Sequence, residues 1–151
     1  MEKIDRELLI KEISTRLPYG IKVQVFGWDE EKGEVAVPLK VYSINMDGYI
    51  TLEYNHYDVE SVYIEDCLLY LRPMSSMTEE EIHEFQEILG PDIETGYGFV
   101  DILDSSVHTF SFLELQALFD WLNKKMFDYR GLIPKGLALE APEEMYKVEE
   151  Q

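Results

Sequence analysis

Apolar positions recur along this chain with two different periods. Over residues 3–17, Leu9, Ile10, Ile13 and Leu17 fall on one face at helical spacing, which predicts an N-terminal helix stopped by Pro18-Tyr19-Gly20. From residue 21 the period becomes two. Ile21, Val23 and Val25 alternate with Lys22, Gln24 and Phe26, and Val35, Val37, Leu39 and Val41 share one face of residues 33–44. Pro38 has no amide to give to a ladder, so this second strand is expected at a sheet edge or broken at that point. Asp47-Gly48 marks a tight turn before residues 49–54, and runs at 59–64 and 68–71 complete the set. Four or five short strands joined by short turns predict an antiparallel sheet or a small SH3-like barrel.

The period returns to the helical one after LRPMSSMTEEE (71–81). Thr78 followed by Glu81 has the form of a capping box, and Glu79, Glu80 and Glu81 complement the positive end of a helix dipole. Ile82, Phe85, Ile88 and Leu89 form the apolar face of that helix, which Gly90-Pro91 ends. The other reading of the same stretch is a loop in which Arg72, Ser75 and Ser76 hold an anion. Residues 96–103 suit one more strand. Ser111 and Glu114 make a second capping box, opening a helix with a core stripe of Phe112, Leu115, Phe119, Leu122 and Met126. Leu113, Ala117 and Trp121 form a second stripe, which suits a helix sandwiched between layers better than one meeting another subunit. Gly131, Pro134, Gly136 and Pro142 then interrupt regular structure. Leu132, Ile133, Leu137 and Leu139 still need burial, so an ordered C-terminal loop with a short strand at 136–140 is expected, followed by a frayed tail at 143–151. The expected architecture is a single α+β domain over 1–151, β-rich at about 19–73 and helical at about 78–142.

Charge narrows the range of partners. The chain carries 31 acids against 13 bases, a formal net charge of -18. That repels phosphate backbones and anionic membrane surfaces, so neither direct nucleic-acid binding nor membrane association is expected. The charged start MEKIDRELLIKE has no apolar run beyond Leu8-Leu9-Ile10, too short for a signal peptide or a span. A single cysteine, Cys67, rules out an internal disulfide and a cysteine-cluster zinc site within one chain. These features suit a soluble cytoplasmic protein.

Candidate chemistry is sparse. Glu79, His83 and Glu87 share a helix face that could offer a metal its ligands, although the same spacing is an ordinary solvated face. Asp104, Ser105, Ser106 and His108 contain the residue types of a hydrolase triad, but neighbours in sequence seldom supply its geometry. Cys67 sits in an apolar run without basic neighbours and reads as a small buried hydrophobe. No catalytic residue, cofactor or metal is assigned. Two features rise above this background. Between Arg72 and Lys124 there are 11 acids and no Lys or Arg, so Glu79, Glu80, Glu84 and Glu87 could present a carboxylate face that imitates duplex phosphates. Six of the ten tyrosines lie between 42 and 70, and Tyr49, Tyr54, Tyr57 and Tyr63 would make an amphipathic platform if they shared an exposed face. In DYRG (128–131), Arg130 pairing with Asp128 or covering the loop is favoured over the other reading, in which Asp128, Tyr129 and Arg130 anchor an interface, where Tyr and Arg are enriched; Arg72 is a further interaction candidate.

RLPYG (16–20), LRPMSSMTEEE (71–81) and DWLNKKMFDYRGLIPKGLALEAP (120–142) resemble the fixed segments of a family of small acidic proteins from gut-bacterial genomes and prophage-like regions. The resemblance extends over almost the whole chain and is least at 21–70. It implies a mobile-element context and supplies no catalytic residues. The expected function is a non-enzymatic interaction module with an unidentified protein partner, homo-oligomer formation being left open. A narrower version is an acidic, nucleic-acid-mimicking inhibitor of a host DNA-binding protein. The other class is an enzyme whose site is assembled from scattered acids and histidines.

Overall fold

The computed structural model describes residues 2–89 and 112–147. Helix α1 (Lys3–Arg16) buries Leu9 and Ile13 completely, with Leu8, Ile10 and Leu17 packed around them. A 3-10 turn at Leu17–Tyr19 ends it, and Gly20 takes a left-handed φ of 84° to direct the chain into the sheet. The strands are β1 (Lys22–Asp29), β2 (Gly33–Ile44), β3 (Tyr49–Leu52), β4 (Ser61–Tyr63), β5 (Leu68–Leu71) and β6 (Ala138–Glu140). Helices α2 (Glu79–Leu89) and α3 (Phe112–Lys124) lie between β5 and β6 in the chain.

The α+β class, the N-terminal helix and the two later helices are as expected, and the sheet departs from expectation. It has six strands in the order β4-β3-β2-β1-β5-β6, and β6 runs parallel to β5. The parallel pair arises because β6 comes from the C-terminal loop, after both helices, and cannot return as a hairpin. Among the described residues β4 and β6 do not pair, so the sheet is open rather than a closed barrel. A bulge between Val41 and Ser43 bends β2.

Pro38 is accommodated by a division of β2. Residues 33–40 pair with β1, while β3 joins only from Val41 onward. Pro38 thus sits centrally in the strand order yet on a local edge, where no ladder needs its missing amide. The sheet packs Val23, Val25, Leu39, Val41, Ile50 and Leu69 against α1 in one core. A second cluster joins Phe85 of α2 to Leu118 and Leu122 of α3 and to Phe127, with the Trp121 ring 5.9 Å from Phe85 and 5.7 Å from Phe127.

The stripe expected on α3 is corrected. Phe112 and Leu113 are exposed; of the expected stripe Leu122 is buried and Phe119 packs against the same cluster, and Leu118 and Asn123 are buried beside them. Met126 is buried, but it lies beyond the helix with a left-handed φ of 63°, so it does not extend the helical phase. Leu113 and Ala117 are exposed, so the second stripe is not covered on both sides; of its members only Trp121 packs inward. Tyr146 lies where a frayed tail was expected. It packs onto the core instead, its hydroxyl accepting from the Lys22 amide at 2.9 Å and donating to the Tyr70 carbonyl at 2.8 Å. The strand expected at 96–103, the Ser111 cap and the Asp104–His108 group lie outside the described residues. No helix among the described residues is long and apolar enough to cross a membrane.

Candidate functional site

The β1–β2 hairpin extends past its neighbours. Val41 donates to the Ile21 carbonyl at 3.0 Å, so odd-numbered residues of β1 bond to β2 and even-numbered ones face the other way. The Lys22 amide, turned to the Tyr146 hydroxyl, follows that rule. On this outer side β5 pairs only with Val23 and Gln24, because the chain before Leu68 turns away in a 3-10 turn at Ile64–Asp66. Among the described residues the amides and carbonyls of Phe26 and Trp28 therefore meet no strand.

The side chains of Phe26 and Trp28 stand on the outer face of this ribbon, 59% and 66% exposed. Directly across on β2 are Ala36 and Glu34, also exposed. The opposite face of the ribbon is backed by protein. A Cβ added at Gly27 would lie 2.8 Å from Cβ of Tyr57, so only glycine allows this close approach. Asn55 shapes that backing loop, its side-chain amide donating to the Glu53 and Val59 carbonyls at 2.9 and 2.8 Å. At the tip, Asp29 accepts from the Glu31 and Lys32 amides at 2.8 and 3.0 Å. The Lys32 amide, then that of Glu31, holds the Asp29 carboxyl below the usual carboxylate range.

The residues singled out from sequence distribute differently. Tyr49 and Tyr63 pair edge-to-face at 5.3 Å across β3 and β4, while Tyr54 is exposed and Tyr57 stacks on His56 beneath the ribbon. Arg72 donates to both Glu81 oxygens, at 2.7 and 2.6 Å, and its guanidinium lies 4.3 Å from the Phe127 ring centroid. Asp128 is buried and accepts from the Leu132 and Ile133 amides at 2.8 and 2.9 Å. Tyr129 donates to Asn123 at 2.8 Å, and Arg130 places Nε 2.8 Å from Oε1 of Glu12. These three side chains hold the C-terminal loop against α1 and α3.

On α2, Glu79, Glu80 and Glu87 are exposed, whereas Glu84 accepts from Trp121 Nε1 at 2.8 Å. Glu79, His83 and Glu87 do not gather as a metal group among the described residues. Burial pushes the Cys67 thiol up to about 12, with Asp66 and Glu65 adding to the effect, so it is no nucleophile at neutral pH.

No family model, no curated protein and no solved structure matches the chain.

Sequence reasoning passed over Phe26 and Trp28. The signal was present: both occupy the polar phase of β1, in line with Lys22 and Gln24, two residues apart and just before the turn.

Proposed function

We propose that this chain is a non-enzymatic protein-interaction module and that the outer face of the β1–β2 ribbon is its contact surface. The observation that carries this reading is the exposure of Phe26 and Trp28 side by side on a braced strand. Covering a large apolar side chain contributes roughly 2 kcal/mol, and buried aromatic anchors dominate many interfaces. A folded monomer leaves two such rings together in water only at the expense of solubility, and contiguous apolar patches mark contact sites. The ribbon is also stiff, because Tyr57 and Val59 pack against its inner side at Gly27. Rigid anchors lose little entropy on binding.

The test compares proteins captured from one native lysate by the tagged wild type, by the double variant Phe26→Ser/Trp28→Ser and by Tyr63→Ser. Partners held by wild type and by the Tyr63 variant, and absent from the double variant at unchanged melting temperature, are the expected result. The same partners retained by the double variant would refute the assignment of the surface.

A further inference from the structure

The ribbon has two edges, and they are not equivalent. On β2 the even-numbered residues face away from β1, but Pro38 has no amide and the Lys40 amide is already taken by the Glu53 carboxylate at 2.9 Å. That edge is stopped at Pro38 and Lys40, while at Glu34 and Ala36 it meets no described strand. On β1 the edge is open among the described residues: Phe26 and Trp28 each leave one amide and one carbonyl without a described strand partner. Extending the β1–β5 register would set Asp66 opposite Phe26, the point where the chain has already turned off. Among the described residues the lane beside Phe26–Asp29 is therefore vacant.

The charges around that lane are mostly negative. The tip carries Asp29, Glu30, Glu31 and Glu34 against Lys32 alone. Asp66, at the other end, is exposed, and its neighbour Glu65 is already held by Arg6. A second copy of this chain would bring a charge of -18 to another of -18, so the edge suits a different, cationic occupant.

Resting on the interaction surface assigned above, we propose that the β1 edge at Phe26–Trp28 receives an extended, lysine- or arginine-bearing segment of a partner protein as an added strand. Main-chain hydrogen bonds to Phe26 and Trp28 supply the pairing, as in other strand-addition complexes. Lysine or arginine side chains of the added strand lie beside the two exposed rings, where their aliphatic stems cover apolar surface and their cationic heads reach the ring faces and the acids at each end.

The probe is a fluorescein-labelled peptide of alternating lysine and valine, about six residues long, matching an ordinary strand. It is compared with the same peptide N-methylated on alternate amides in each of the two phases, and with glutamate in place of lysine. Binding is read by fluorescence anisotropy on the intact chain. The expected result is binding of the parent peptide, weakened at least roughly tenfold by methylation in one phase and little changed in the other. The glutamate peptide should not bind, and Phe26→Ser/Trp28→Ser should release the parent. Equal binding of both methylated forms would overturn strand addition. If Phe26→Ser/Trp28→Ser still abolished it, the contact surface would stand. Failure of the parent peptide to bind would likewise overturn this inference, while capture of native partners through Phe26 and Trp28 would be decided separately by the lysate comparison.

Discussion

Arg72 grips Glu81 through both terminal nitrogens, at 2.7 and 2.6 Å, while Glu81 also accepts the Thr78 amide at 3.0 Å. Thr78 returns the contact, its hydroxyl accepting the Glu81 amide at 3.1 Å. One carboxylate thus closes the capping box of α2 and ties that helix to the end of β5. The stretch from Leu71 to Glu81 is a joint, and its arginine is committed to holding it.

This pair makes stability depend on acid. Burial alone would raise the Glu81 carboxyl, but the Arg72 hydrogen bonds and the Thr78 amide outweigh it and hold the group below glutamate's ordinary 4.5. A lowered folded value means the contribution is complete above about pH 4.5 and is lost as pH falls through the folded value. Arg72→Ala should cost about 2 kcal/mol near neutral pH, the scale of charge-assisted hydrogen bonds in a partly buried site. Glu81→Gln keeps the cap and removes the charge. Melting temperatures between pH 6 and pH 3 should fall less steeply in both variants than in wild type. Parallel acid profiles for all three would show that the pair carries no such linkage.

Glu12 and Arg16 form a buried ion pair within α1, with side chains 1% and 0% exposed. Arg16 also donates to the Phe127 carbonyl at 2.8 Å, yet its Nε finds no partner among the described residues. Arg130 reaches Glu12 from the C-terminal loop as an ion pair without hydrogen-bond alignment. Removing one member strands the other. Glu12→Ala should cost about 3–5 kcal/mol, and Glu12→Leu/Arg16→Met should recover much of it by replacing charge with packing. Urea denaturation checks the order of the three proteins. A double variant less stable than Glu12→Ala alone would contradict it.

Gly27 is where the ribbon meets its support. Alanine there would put a methyl 2.8 Å from Cβ and 3.2 Å from Cγ of Tyr57, atoms that cannot move without displacing the loop. A loss of about 1–3 kcal/mol is expected, the usual range for overpacking. A urea midpoint equal to that of wild type would mean that the loop yields freely and does not brace the strand.

What could be read from sequence was local. The period of two located β1, β2 and β3, and the capping box at Thr78 and Glu81 is present as its spacing implies. The short strand near 136–140 is β6. Its parallel pairing with β5 was not legible, because two helices and more than sixty residues separate the partners, from Leu71 to Ala138. The burial of Glu12 and Arg16 was hidden for a similar reason. Charged residues read as surface until a carbonyl from Phe127 and a guanidinium from Arg130 are brought to them. Phe26 and Trp28 failed in the opposite direction. Their phase placed them outward, but their aromatic character suggests a core, and only the shortness of the β5 pairing shows that no described strand covers them. Asp128 is the buried anchor of the loop that follows it, its two backbone partners lying four and five residues further on.

The contact surface is tested most directly by amide-resolved hydrogen exchange at Phe26 and Trp28, in the free chain and with the lysine–valine peptide. In the free chain these two amides should exchange quickly, while those of Val25 and Gly27, bonded to β2, exchange slowly. Adding the peptide should slow Phe26 and Trp28 and leave Val25 and Gly27 as they were. Amides at Phe26 and Trp28 already as protected as their neighbours, or indifferent to the peptide, would contradict the open edge on which the account rests.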